Sequence, residues 1–198
     1  MTTSALHRAL TEQGDPVLRP LPAPAAELLL ACAAPPRLAA HLRAVHDVAA
    51  QLLDWLAERY PRLAVNPVAV LFGAATHDIG KIEHPAELSG PGSRHESAGH
   101  RLLLSYGVGE EFARFAGSHA NWDHPEASTE ELLVSLADKI WKGARVPDLE
   151  QLVVERLAAA GDEQPWQAFL ALDDVVGRIA EGADARLAFQ ARYPTVAG

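Results

Sequence analysis

Two adjacent His-Asp pairs occur in this chain, His46-Asp47 and His77-Asp78. An imidazole beside a carboxylate can move protons or bind a transition metal, provided the pair is not simply solvated. The second pair ends the apolar run Val68-Ala69-Val70-Leu71-Phe72-Gly73-Ala74-Ala75, a segment with no polar face to turn toward water. A carboxylate buried there needs a cation or an arginine to offset its desolvation. The first pair lies in an amphipathic pattern, Leu38, Leu42, Val45, Ala49, Leu52 and Leu56. At about 100° per residue, with Leu38 as origin, His41 falls about 60° to one side of the stripe and His46 about 80° to the other. Asp47 falls about 180° away, beside Arg43, Asp54 and Glu58, and is expected in water. His41, rather than the His46-Asp47 pair, is expected to face the interior.

Eight of the nine histidines lie between residues 41 and 124. His95 stands in the first turn of a helical pattern, with Gly99 one turn later leaving room for close approach. His119 continues the stripe Phe112, Phe115, His119. Asp138 sits between Val134 and Trp141 on its own helix face, poor company for a solvated acid. Any one of these has a plain alternative: a histidine satisfied in the core, or an Asp138–Lys142 pair at i,i+4. Six such placements on five helices, His41, His77, Asp78, His95, His119 and Asp138, point instead to a metal site. Imidazole and carboxylate suit iron, manganese, cobalt, nickel or zinc.

The elements that must position these residues are helical throughout. Helices are expected over about 37–59, from Asn66-Pro67 to Gly80, over 93–107, 110–120 and 128–142, and over 148–160, 165–181 and 183–192. Asn66 reads as an N-cap with Pro67 at the first helical position, and Gly80 as a left-handed C-terminal cap. Ser93-x-x-Glu96 and Ser128-x-x-Glu131 read as capping boxes. No stretch alternates with period two, so the expected class is all-α. The expected organisation is an irregular, proline-rich arm over 1–36, a metal-binding helical core over 37–145, and C-terminal helices over 146–198 packing on the same domain.

With 198 residues and a net charge of −9, the chain is poorly suited to sequence-independent nucleic-acid binding, and no stable nucleic-acid partner is expected. The single cysteine, Cys32, allows no intrachain disulfide and fits a cytoplasmic setting. No apolar run approaches the length that spans a bilayer, so no membrane partner is expected either. A monomer or homodimer is expected.

The order His41, His77-Asp78, His95, His119, Asp138 resembles the HD-domain superfamily of metal-dependent phosphohydrolases. The resemblance runs over about 37–145. It is carried by Arg37-Leu38-Ala39-Ala40-His41-Leu42-Arg43-Ala44-Val45, by Thr76-His77-Asp78-Ile79-Gly80-Lys81, which is the most specific part, and by Ser135-Leu136-Ala137-Asp138-Lys139. It implies a single HD-type helical domain in which His41, His77, Asp78 and Asp138 bind one divalent ion. His95 and His119 match the further ligands of the binuclear branch, with Asp78 bridging two ions. Iron or manganese is favoured, cobalt, nickel, zinc or magnesium also suit, and a single ion is the fallback. The implied reaction is hydrolysis of a phosphomonoester, phosphodiester or phosphoanhydride in a small nucleotide-like substrate by a metal-activated hydroxide. Asp78 and Lys81 act as catalytic residues, Lys81 neutralising phosphoryl charge. Substrate contacts are expected from Lys81, His84, Arg94, Asn121, Lys142 and Arg145. The pair His119-Ala120 replaces a histidine pair found in some relatives, and the signature of the cyclic-di-GMP-cleaving branch is missing, so that substrate is disfavoured. The same ligands would serve an HD-fold diiron oxygenase acting on a small polyol or phosphonate, and a non-catalytic ligand-sensing module is a third reading.

Overall fold

Pro35 and Pro36 open the longest helix of the molecule. Proline fits the first helical turn because its missing N–H would have no intrahelical partner there. The fold comes from a computed structural model that describes residues 4–195. Residues 1–3 of the expected arm and 196–198 of the expected C-terminal segment lie outside the described residues. Ten α-helices and no strand occur among the described residues: α1 (Ala5–Thr11), α2 (Ala23–Ala31), α3 (Pro36–Arg59), α4 (Pro67–Thr76), α5 (Arg94–Ser105), α6 (Glu110–Ser118), α7 (Thr129–Ile140), α8 (Pro147–Gly161), α9 (Pro165–Ala180) and α10 (Ala183–Ala191).

The stripe Leu38, Leu42, Val45, Ala49, Leu52 and Leu56 is fully buried and makes α3 the axis of the core. Helices α1, α4, α7, α9 and α10 pack around it. Helix α4 lies between α3, α6 and α7, and α5 pairs with α6. Helices α8 and α9 pack as a hairpin against α7. Asn66 caps α4 as expected, its Oδ1 accepting from the N–H groups of Val68 (3.1 Å) and Ala69 (3.2 Å). The Ser128–Glu131 capping box closes reciprocally at the start of α7.

Four local expectations fail, each for a physical reason. The arm is not irregular: α1 and α2 form within it, and α1 packs on α3. That packing overturns the expected solvation of Asp47. Asp47 is only 5 % exposed, its Oδ1 accepting from the Arg19 backbone N–H (3.0 Å) and its Oδ2 from Gln51 Nε2 (2.8 Å). Arg43 is completely buried. Its guanidinium donates to the carbonyls of Arg19 (3.1 Å), Glu12 (2.8 Å), Ala9 (3.3 Å) and Leu18 (2.8 Å), pinning the arm to α3. The helical wheel assumed one covered face, whereas the first half of α3 is covered all round.

Gly80 is not a left-handed cap. The chain passes from α4 into a 3-10 turn, Ile79–Ile82, and a second turn follows at Pro85–Leu88. A Cβ at Gly80 would lie 2.0 Å from the carbonyl oxygen of His95 and 2.4 Å from the backbone nitrogen of Gly99. Gly80 is there because two backbones touch. Ser93 makes no side-chain cap. The carboxylate of Glu87 replaces it, accepting from the N–H groups of Arg94 (3.3 Å) and His95 (3.1 Å) at the start of α5.

Candidate metal centre

Six side chains converge from five helices. His41 comes from the second turn of α3, and His77 caps the C-terminus of α4 with Asp78 directly after it. His95 is the second residue of α5, His119 caps the end of α6, and Asp138 lies on the last turns of α7. The two helix ends orient their histidines locally. His77 Nδ1 donates to the Ala74 carbonyl (3.0 Å) and His119 Nδ1 to the Ala116 carbonyl (3.2 Å). A carbonyl can only accept, so Nδ1 carries the proton and Nε2 keeps its unshared pair toward the centre.

The carboxylate of Asp78 divides the cluster in two. Its Oδ2 faces His41 Nε2 (3.1 Å) and His77 Nε2 (3.6 Å), while its Oδ1 faces His95 Nε2 (3.1 Å) and His119 Nε2 (3.5 Å). Asp138 Oδ1 joins the first side, 3.7 Å from His41 Nε2 and 3.4 Å from His77 Nε2. Ligand atoms of His41, His77 and Asp138 lie within 4.8 Å of one another, as do those of His77, Asp78 and His119. Both nitrogens of His41 and the Nε2 atoms of His77 and His95 are buried without a hydrogen-bond partner. Buried nitrogens with unshared pairs, set around two carboxylates, are the donor set a divalent transition-metal ion requires, so the residues fit such an ion.

Charge in the cluster is strongly perturbed. Burial pushes the Asp78 carboxyl up, but the charge of His77 and the imidazoles of His119, His41 and His95 outweigh it and hold Asp78 well below the usual carboxylate range. Asp138 behaves likewise: burial and Asp78 raise it, while His77 and Lys139 bring it below its ordinary value. Burial lowers His95, yet contacts with Asp78 and Glu87 raise it overall. Both carboxylates therefore stay ionised, as ligands must.

Above the cluster opens a cavity of about 400 Å³. Lys81, Lys139 and Lys142 contribute cations to its lining, Leu38, Leu88 and Trp141 its apolar wall, and Gln190 reaches in from α10. Lys81 Nζ lies 2.5 Å from Asp78 Oδ2, so it faces the site rather than capping a helix. Lys139 Nζ donates to Asp138 Oδ2 at 2.8 Å, so the lysine beside this carboxylate is Lys139 and not the Lys142 of the plain alternative. Of the expected substrate contacts, Lys81 and Lys142 line the cavity, and His84, Arg94, Asn121 and Arg145 do not. Arg145 is held elsewhere, by Glu150 (2.8 and 2.6 Å) and Asp173 (2.8 Å). Arg94 and Asn121 are solvent-exposed, and His84 sits half-buried between the two 3-10 turns. His100 pairs with Glu110 away from the centre (2.9 Å). Lys139 was visible beside Asp138. Gln190 carried no signal, because only the folding of α10 onto α3 brings it near.

A family model for the HD domain matches residues 39–141, just over half of the chain and the whole of the cluster. The chain belongs to the HD-domain family. Among curated proteins and among solved structures, no significant match was found. The HD-domain match begins two residues before His41 and ends three after Asp138, so all six converging side chains lie inside it. Members of the HD-domain family are generally hydrolases, and the clustered histidines and aspartates here are compatible with a metal site of that type. None of the HD-domain helices, nor any other described helix, is long and apolar enough to cross a membrane.

Proposed function

We propose that this HD-domain protein is a metal-dependent phosphohydrolase that holds two divalent ions and cleaves a phosphoester or phosphoanhydride in a small nucleotide-like substrate. The observation that carries the reading is one carboxylate, Asp78, with imidazoles at both oxygens, beneath a cavity lined by three lysines. His41, His77 and Asp138 would hold the inner ion, His95 and His119 the outer, with Asp78 between them. Bound divalent ions supply Lewis acidity and bring the pKa of a water near neutrality.

The protein's own groups do the rest. Asp78 and Asp138 remain ionised and so act as ligands, leaving proton acceptance to others. The Nζ groups of Lys81, Lys139 and Lys142 present N–H donors to phosphoryl oxygens as charge builds there. Cavity size selects a compact substrate, and the apolar wall of Leu38, Leu88 and Trp141 accepts its less polar part.

The test is a phosphate-release screen over nucleotides, cyclic nucleotides and dinucleoside polyphosphates with Mn, Fe, Co and Mg, run with and without dioxygen. Phosphate release independent of dioxygen is expected. Turnover that requires dioxygen would replace this reading with an oxygenase on the same ligands, and metal binding without turnover would indicate a sensing module. Lys81→Met should lower kcat/KM by roughly ten- to a hundredfold, since one charge-assisted hydrogen bond is worth about 1.5–3 kcal/mol.

A further inference from the structure

His95 differs from the other histidines of the centre in what fixes its ring. His77 and His119 donate Nδ1 to a carbonyl of their own helix. His95, at the start of α5, has no such carbonyl in reach. Its Nδ1 instead lies 2.6 Å from Oε2 of Glu87, a residue of the second 3-10 turn. The same carboxylate accepts the backbone N–H groups of Arg94 and His95, so one side chain fixes both the ring and the backbone that carries it. The Glu87 side chain is itself largely buried. Gly92 makes room for it, since a Cβ there would lie 2.4 Å from Glu87 Oε1.

We propose that Glu87 is the positioning residue of the outer ion subsite: it holds His95 with Nδ1 protonated, so that Nε2 offers its unshared pair opposite Asp78 Oδ1. This rests on the two-ion reading above. A carboxylate accepting from the far nitrogen of a ligating histidine fixes its tautomer and makes the ring a stronger donor, and losing such a partner costs about 10–100-fold in metal affinity. Because His41, His77 and Asp138 make no contact with Glu87, the effect falls on one ion and spares the other.

The experiment is metal titration of stripped protein with Mn and Co, followed by metal analysis after gel filtration, for the wild type, Glu87→Gln and Glu87→Ala. Glu83→Gln, an exposed neighbour, is the control. The expected result is a roughly 10–100-fold weaker second ion in Glu87→Ala, a smaller loss in Glu87→Gln, which keeps an acceptor but not the charge, and an unchanged first ion in all four proteins. Ring ¹⁵N shifts of His95 in the metal-free protein, read at alkaline pH where the ring is neutral, should show the Nδ1–H tautomer in the wild type and mixed tautomers in Glu87→Ala. A residue that only capped α5 would lower thermal stability while leaving the ratio of the two affinities and the tautomer unchanged. That outcome, or wild-type affinity for the second ion in Glu87→Ala, overturns the proposal. A wild-type protein that binds a single ion overturns the two-ion reading instead, and the proposal with it.

Discussion

The two His-Asp pairs are equally buried, and they do opposite things. Asp47 is 5 % exposed and Asp78 3 %. The oxygens of Asp47 are satisfied by N–H donors of the protein, the Arg19 backbone and Gln51, and its neighbour Arg43 is saturated by carbonyls of the arm. The oxygens of Asp78 face imidazoles of which the Nε2 atoms of His41, His77 and His95 lack hydrogen-bond partners, and Lys81 is its one N–H donor that is not an imidazole. Burial alone therefore does not separate structure from chemistry. What separates them is whether the donors and acceptors have already found one another.

The largest test of that contrast is to truncate each aspartate. Asp78→Ala should cost both ions and lower turnover at least about a thousandfold, since it removes the shared ligand. Asp47→Ala should keep full metal content and lose about 1–3 kcal/mol of stability, the cost of unpaired buried donors. Equal loss of metal from both variants, read by metal analysis, would break the comparison. Next in size, Arg43→Met should lower stability by about 3–5 kcal/mol in thermal or denaturant unfolding, because it leaves the arm's carbonyls unpaired. Metal content of the folded fraction should not change.

The last test sharpens the contrast through pH. Burial lowers His46 from 6.5 to about 4. Between those values the unfolded chain binds a proton that the folded chain refuses. The contribution of His46 to stability is therefore full above pH 6.5 and is lost as pH falls toward 4, by about 3 kcal/mol. His46→Gln should remove that slope, so its melting temperature relative to the wild type should rise steadily from pH 7 to pH 4.

Much of this was legible in the sequence, for a local reason. The helices from α3 onward repeat with the helical period, and a carboxylate ending an apolar helix announces its own electrostatic problem. The six residues of the centre each betray themselves by standing on a face where a polar group is out of place. Illegible parts depend on contacts between distant segments. Helix α1 has only seven residues, too few for a pattern to stand out. The desolvation of Arg43 and Asp47 depends on that helix and the segment after it, through Arg19, docking on α3. Glu87 caps a helix from outside it, and Gly80 serves a contact with α5 that no local rule contains.

That contact between Gly80 and Gly99 bears on stiffness. Side chains yield by rotating, whereas two backbones in direct contact have almost nothing left to compress. The separation between the segment carrying Asp78 and the helix carrying His95 is thus the least deformable dimension of the centre. An ion of a different radius must be accommodated elsewhere than in that spacing. Enlarging either glycine would act as a wedge, prying α5 away from Asp78 without touching a single ligand.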